Sequence, residues 1–259
     1  MTELWQENFD FYEAAAENGR AFVSIDLDAA HHAPVASHPV RLQFRVKMLK
    51  PREDGLRSEE EAETLFALED ALVDEVRAKQ QGIYIARAVA YGYTEFIFYV
   101  SASHRDGAAT AKSVGERFQA YEVEWLEEDD VEWDRYFELF PNRYALQTML
   151  NRSLIRHMVE SKDRLEVPRV IDHMAFFPSK EKAEAAGKAL VAADFTVDPV
   201  EPPNEERESW GLQFHREDAC DGETPDEFCF EILDILEPHE GEYDGWGSPV
   251  QAGPDTLES

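Results

Sequence analysis

The chain has 259 residues, of which 43% are hydrophobic, so it is long enough to bury one large core or two smaller ones. Its 25 basic and 55 acidic residues give a formal net charge of −30. This charge repels nucleic-acid phosphates and anionic membranes and attracts basic partners, although a requirement for solubility would explain it equally well. No run reaches the about 18 apolar residues of a membrane span, and the start lacks the layout of a signal peptide, so the sequence predicts a cytoplasmic protein. Only two cysteines occur, and we expect both to be free thiols without a chemical role.

The amino-terminal half predicts a β-α-β-β-α-β unit preceded by one helix and one strand. Residues 4–16 predict the short helix. Every second residue from Val40 to Met48 is apolar, which is typical of a strand with one buried and one solvated face. Ser58 and Glu61 have the spacing of a capping box, which predicts that a helix begins there. The other predicted elements are strands at 23–28, 83–91, 93–101 and 121–126 and a helix around 111–118.

A change of pattern near residue 130 predicts a domain boundary. The acidic run Glu127 to Asp130 lacks the glycine and the alternating ligands of a calcium loop, so it is interpreted as a solvated linker. Residues 133–141 also interrupt the regular elements. We therefore expect two domains, 1–140 and 141–259, each with a net charge of −15, and we expect the second to fold alone.

The carboxy-terminal half opens with a predicted helix over 143–162 and then repeats the order of the first half. Leu146, Leu150, Leu154 and Met158 recur at intervals of four and predict its buried stripe. Thr224 is the expected cap of a later helix, worth about 1 kcal/mol. The remaining elements are strands at 170–177, 195–200, 210–215 and 242–248 and a helix beginning at Ser179. The predicted fold is α+β, with two ferredoxin-like (β-α-β-β-α-β) domains, each an antiparallel sheet with its helices on one face.

One group of residues in the first half has the chemistry of metal ligands. Asp26, His31, His32 and His38 lie near a predicted strand end, and carboxylates and imidazoles bind zinc. Their spacing matches no established motif, and adjacent histidines on an extended chain point to opposite faces. We therefore expect no metal and no cofactor. A metal-dependent or small-molecule enzyme with its site in this domain is the alternative function.

The segment from Gly241 to Gly247 is the main candidate for recognition. Its three glycines permit close backbone approach, and Tyr243, Asp244 and Trp246 offer aromatic and charged contact groups. Two interpretations remain open: the aromatic residues belong to the core, or they form a partner-binding surface, where tyrosine and tryptophan are enriched. No nucleophile, phosphate-binding or zinc-protease motif occurs, so no catalytic residue is predicted.

Four segments resemble one family, the B-type regulator of ribonuclease E activity (RraB), over the last 120 residues or so. The segments are Phe140-Pro-Asn-Arg143, Val167-Pro-x-x-x-Asp172-His173, Ala175-Phe-Phe-Pro178 and Gly241-Glu-Tyr-Asp-Gly-Trp-Gly247. The resemblance implies a ferredoxin-like domain that binds ribonuclease E and inhibits its RNA cleavage without being a nuclease. The first half, through Asp54-Gly-Leu-Arg57 and Leu68-Glu-Asp70, resembles an uncharacterised bacterial domain that is sometimes joined to this one.

The expected function is therefore that of a non-enzymatic, protein-binding regulator. Its partner would be ribonuclease E or the basic scaffold region of that enzyme, because an acidic protein complements arginine-rich, disordered segments. We expect no binding to nucleic acid or to membranes. A scaffolding role, in which the two similar domains pair, also remains open.

Overall fold

The computed structural model describes residues 4–16, 19–205 and 207–251. The chain forms two compact units, which divide between Ala145 and Leu146. Both units are α+β and contain antiparallel sheets, which confirms the predicted class. Within the described ranges, no helix combines the length and the apolarity that a bilayer crossing requires.

The first unit is built on a six-stranded antiparallel sheet with the order β1-β2-β4-β5-β3-β6. Its strands are β1 (Phe9–Ala16), β2 (Gly19–Asp26), β3 (Val40–Lys47), β4 (Ile83–Ala90), β5 (Tyr93–Val100) and β6 (Val123–Asp129). The alternation predicted for β3 is confirmed, since Leu42 and Phe44 are fully buried while Arg45 is exposed. The helices are α1 (Glu59–Gln80), α2 (Gly107–Arg117) and α3 (Asp134–Leu139), with a short 3-10 helix at Asp28–His31.

Helices cover both faces of this sheet, whereas one covered face was predicted. Helices α1 and α2 share a core with one face. On the other face the ring of Tyr99 stacks on Trp133, with centroids 4.0 Å apart, and Tyr136 of α3 lies in the same buried cluster. The physical reason is that β5 is apolar on both sides: Phe96 and Ile97 are adjacent and both fully buried. A strand of that kind requires cover on each face.

The helix predicted over residues 4–16 is wrong. Residues Phe9–Ala16 form β1, which pairs along its whole length with β2. Three consecutive alanines favour a helix locally, but antiparallel pairing with β2 satisfies the backbone of this segment and overrides that preference.

The solvated linker predicted at Glu127 to Asp130 is also wrong. The first three of these residues belong to β6, which pairs with β3. Asp130 is buried; its carboxylate accepts hydrogen bonds from the hydroxyl of Tyr99 (2.5 Å) and from the backbone amide of Asp134 (2.8 Å). The acidic residue therefore holds the start of α3 in place instead of joining two domains.

Helix α1 begins where it was predicted, but the capping box does not form. Ser58 makes no side-chain cap bond, and its hydroxyl is buried with no partner among the described residues. The Glu61 carboxylate instead accepts from the backbone amides of Leu49 (2.6 Å) and Lys50 (2.7 Å) and from the Tyr121 hydroxyl (2.9 Å). Glu61 thus fixes the loop after β3, because those amides have no strand partner.

The second unit contains a four-stranded antiparallel sheet with the order β10-β7-β9-β8. Its strands are β7 (Arg169–Phe177), β8 (Thr196–Val197), β9 (Trp210–Asp218) and β10 (Glu242–Gly247). Its helices are α4 (Arg143–Glu160), of which the first three residues fall in the first unit, α5 (Lys180–Ala192) and α6 (Thr224–Leu236), followed by a 3-10 turn at Glu237–His239. Apolar residues of α5 and α6 pack with alternate residues of β7 and β9 in one core.

The buried stripe predicted for α4 is only partly present. Met158 is buried, but Leu150 is 63% exposed, and the polar residues Gln147 and Asn151 are buried instead. Their side chains are hydrogen-bonded, which makes the burial of polar groups tolerable.

The two predicted helix starts of the second unit have different outcomes. The helix predicted to begin at Ser179 is present as α5, and Ser179 is its cap, accepting from the backbone amide of Lys182 (3.3 Å). Thr224 is not the cap of α6, because it is the first helical residue and the capping position is Glu223, which makes no side-chain cap bond. The stability cost expected for Thr224→Ala through loss of a cap therefore no longer applies.

Candidate functional site

The carboxy-terminal sheet has one face that contributes nothing to the buried core. On β7, residues 171, 173, 175 and 177 point into the core, and the residues between them are exposed or half-buried. Strand β9 alternates in the same way over Leu212 to His215. The outward side chains on these two strands are Val170, Asp172, Met174, Phe176, Gln213 and His215. A half-open sheet of this kind leaves a surface that can receive a partner.

A cavity of about 470 Å³ lies on this face. Three carboxylates line it, those of Asp172, Asp198 and Asp244, and no lysine or arginine does. Each of the three residues is exposed, and none has a side-chain hydrogen bond or ion pair within the described part of the chain. We call Asp172, Asp198 and Asp244 the acidic face. Its uncompensated negative charge favours a cationic partner.

The backbone of β10 brings Asp244 to this face. The register between β10 and β7 shifts between Tyr243 and Gly245, so Asp244 lies in a bulge. Gly245 has a φ of +119°, a conformation that L side chains rarely adopt. The glycine is therefore required for the bulge that turns Asp244 outward.

The same strand sends two aromatic side chains inward, into a buried polar network. The indole Nε1 of Trp246 donates to Asn151 Oδ1 (2.8 Å), and Gln147 Nε2 donates to the same oxygen (2.9 Å). Asn151 Nδ2 in turn donates to Asp226 Oδ1 (2.7 Å). Asn151 thus connects α4, α6 and β10, and its amide is the centre of the network.

His173 lies beside this network on β7. Its Nδ1 shares a hydrogen bond of 2.8 Å with the Tyr243 hydroxyl, while its Nε2 is buried with no partner among the described residues. Burial, with smaller contributions from Arg216 and His215, lowers the pKa of His173 to about 3. Burial raises the pKa of the Cys229 thiol to about 12, so both groups are neutral near pH 7 and suit a structural role.

The three residues predicted to bind a partner therefore occupy different positions. Asp244 is exposed on the open face, whereas Tyr243 and Trp246 are half-buried and pack against the core. Their contact with a partner stays a prediction. Two residues of this region were not predicted from the sequence. Asp198 follows a strand of only two residues, which is too short to show a pattern, and Asn151 lies outside the stripe of leucines that was predicted to be the buried side of α4.

The candidate metal ligands of the first unit are engaged separately. Asp26 is buried and accepts a hydrogen bond from the Trp5 indole (2.6 Å), and His32 stacks on Trp5 at 5.0 Å. His38 bonds to the backbone oxygen of Gln81 (3.1 Å), and His31 is exposed. Across the described residues, no group of three or more His, Cys, Asp or Glu side chains is arranged to hold a metal ion.

Comparison with known proteins finds one family within each of the two compact units. Residues 7–140 match a family of unknown function (DUF695), and residues 148–248 match the family Regulator of ribonuclease activity B. No curated protein matches. One solved structure, described as an unknown protein from Galdieria sulphuraria, has 10% sequence identity and covers 81% of this chain and 99% of its own, but its TM-score of 0.23 supports no argument.

The family resemblance inferred from the sequence is confirmed by these matches, and the first of them spans more than half of the chain. The chain belongs to the DUF695 family of unknown function and carries, carboxy-terminal to that domain, a domain of the Regulator of ribonuclease activity B family.

Proposed function

We propose that this chain is a non-enzymatic regulator that binds a ribonuclease through its carboxy-terminal unit. The observation that carries the proposal is the match of residues 148–248 to a family of ribonuclease regulators. The chemistry of the unit agrees with a binding role. His173 and the thiol of Cys229 are groups that could act in catalysis, but burial keeps both neutral and they pack in the core. The specific target is proposed to be ribonuclease E, in the cytoplasm.

Both units are proposed to be ferredoxin-like. The order β10-β7-β9-β8 supports this for the second unit, because the first strand of the set lies between the fourth and the third. In the first unit β3, β4, β5 and β6 have the same relation, and the hairpin β1–β2 extends the sheet beyond β4. The fold itself is shared by many functions and does not specify one.

The acidic face is proposed as the contact surface, and a basic segment of the ribonuclease as its ligand. Three unpaired carboxylates around one cavity attract lysine and arginine side chains, and the charge of −30 on the whole chain adds long-range attraction. Arginine-rich, disordered segments can follow such a surface and order on binding. The same charge opposes binding to nucleic acid and to anionic membranes.

Neutralising the acidic face should weaken binding by about tenfold. In the triple variant Asp172→Asn, Asp198→Asn, Asp244→Asn, each residue keeps its shape and loses its charge. Exposed ion pairs contribute roughly 0.5 kcal/mol each, so three sum to about 1.5 kcal/mol, which is about tenfold in affinity. Titration calorimetry with ribonuclease E measures the change.

A second triple variant controls for the loss of net charge alone. Glu160→Gln, Asp221→Asn, Glu227→Gln removes the same charge from exposed residues that do not line the cavity. We expect this control to change the affinity by less than about twofold, because distant surface charges are screened at physiological salt. Equal weakening by both triple variants would contradict the acidic face as the contact surface.

A further inference from the structure

The amino-terminal unit contains a cavity of about 440 Å³ that the regulatory function does not use. It lies between the outer hairpin β1–β2, strand β4, helix α1 and the loop that precedes α1. Its lining is unusual for so acidic a chain, because it combines apolar rings with cations. The residues that define it are Phe11, Phe22, Phe66, Arg52, Arg57 and Arg87.

The three guanidinium groups of this cavity differ in their partners. Arg52 pairs with Asp54 at 2.6 Å, and Arg87 pairs with Glu69. Arg57 has no hydrogen bond and no ion pair within the described part of the chain. Its guanidinium lies instead over the ring of Phe66, 3.9 Å from the ring centroid. The cavity lining therefore contains one uncompensated cation and no acidic residue.

The surroundings of Arg57 make an anion favourable at this position. Burial and the neighbouring charge of Arg87 both lower its pKa, although Glu69 acts in the opposite direction. A half-buried cation without a partner is costly, and an anion that hydrogen-bonds to it removes that cost. A guanidinium presents a planar pair of donors that matches the two oxygens of a carboxylate.

We propose that this cavity binds a small aromatic carboxylate. The carboxylate pairs with Arg57, and the ring packs among the phenylalanine side chains. The cavity volume is in the range of small-molecule sites, about 300–1,000 Å³. Contacts of the ligand ring with Phe11 and Phe22, and with the edge of Phe66, whose face carries the Arg57 guanidinium, favour an aromatic body over an aliphatic one. The site is independent of the proposed ribonuclease binding.

Titration calorimetry of the full chain with 2-naphthoate tests this site. We expect one equivalent to bind, and we expect 2-naphthylmethanol, which has the same ring system without the charge, to bind at least tenfold more weakly. Arg57→Gln should weaken naphthoate binding at least tenfold. The matched control is Arg117→Gln, because Arg117 is exposed, lies beside the ring of Phe118 and does not line the cavity.

Three outcomes would overturn the proposal: no binding of naphthoate, equal binding of the alcohol, or equal loss of binding in both arginine variants. Phe66→Ala provides a second variant, since Phe66 is 43% exposed and its loss does not open the main core. It should weaken both naphthoate and the alcohol. Thermal unfolding of each variant, compared with the unaltered chain, confirms that the binding data come from folded protein.

Discussion

Replacing Asn151 with leucine is expected to destabilise the carboxy-terminal unit by about 4 kcal/mol. The substitution conserves most of the volume but removes the amide that joins Trp246, Gln147 and Asp226. Of these three partners Gln147 is buried and the other two are half-buried; a buried polar group left without a partner costs about 1–3 kcal/mol, and the groups of one network act together. The free energy of unfolding of this unit should fall accordingly, as measured by native-state hydrogen exchange of α4 and α6 amides.

The neighbouring residue supplies the control for this prediction. Leu150→Ala should change stability by less than about 0.5 kcal/mol, because Leu150 is 63% exposed. The pattern of leucines along α4 predicts the opposite ranking, with Leu150 in the core and Asn151 on the surface. A larger loss of stability in Leu150→Ala than in Asn151→Leu would contradict the network.

The stability of the carboxy-terminal unit should fall steeply in acid because of His173. The pKa of its imidazole is about 3 in the folded unit, against an ordinary value of 6.5. Between these two values the unfolded chain binds a proton that the folded unit does not bind. The free energy of unfolding is therefore fully retained above about pH 6.5 and falls as the pH drops toward 3, by up to roughly 1.4 kcal/mol per unit and on the order of 4 kcal/mol in total.

Denaturant unfolding across this pH range isolates the contribution of His173. His173→Phe should be less stable at pH 7, because it loses the hydrogen bond to Tyr243, but it should lose less stability on acidification. His157→Gln, at an exposed position on α4, should keep the acid dependence of the unaltered chain. Parallel pH curves for His173→Phe and the unaltered chain would show that His173 is not the source of the effect.

Period-two alternation predicted much of the sheet structure in both units. Strand β3 is a clear case, because side chains on one face are apolar and those on the other are polar. Strand β1 was not predicted, because its consecutive alanines show no alternation of apolar and polar residues and because its pairing with β2 is a tertiary contact. A single-sequence pattern reports the burial of a face, not the identity of the strand that pairs with it.

The buried polar residues of both units were harder to predict than the apolar core. Glu61 and Asp130 were interpreted as a helix cap and a linker residue, yet both are buried and accept hydrogen bonds from residues distant in sequence. Asn151 is similar, since only the folded unit brings Trp246 to it. A buried polar residue is recognised by its partners, and those partners are supplied by tertiary structure.

The most direct test of the regulatory function is a titration of RNA cleavage by ribonuclease E with the intact chain, at fixed enzyme and substrate concentrations. A regulator that binds the enzyme should slow cleavage until the rate reaches a plateau. The protein concentration that gives half of this inhibition should rise with salt, because the Debye length falls from about 10 Å at 0.1 M to about 3 Å at 1 M and screens the acidic charge. Unchanged cleavage at every concentration of folded protein, together with no binding to the enzyme, would contradict the assignment.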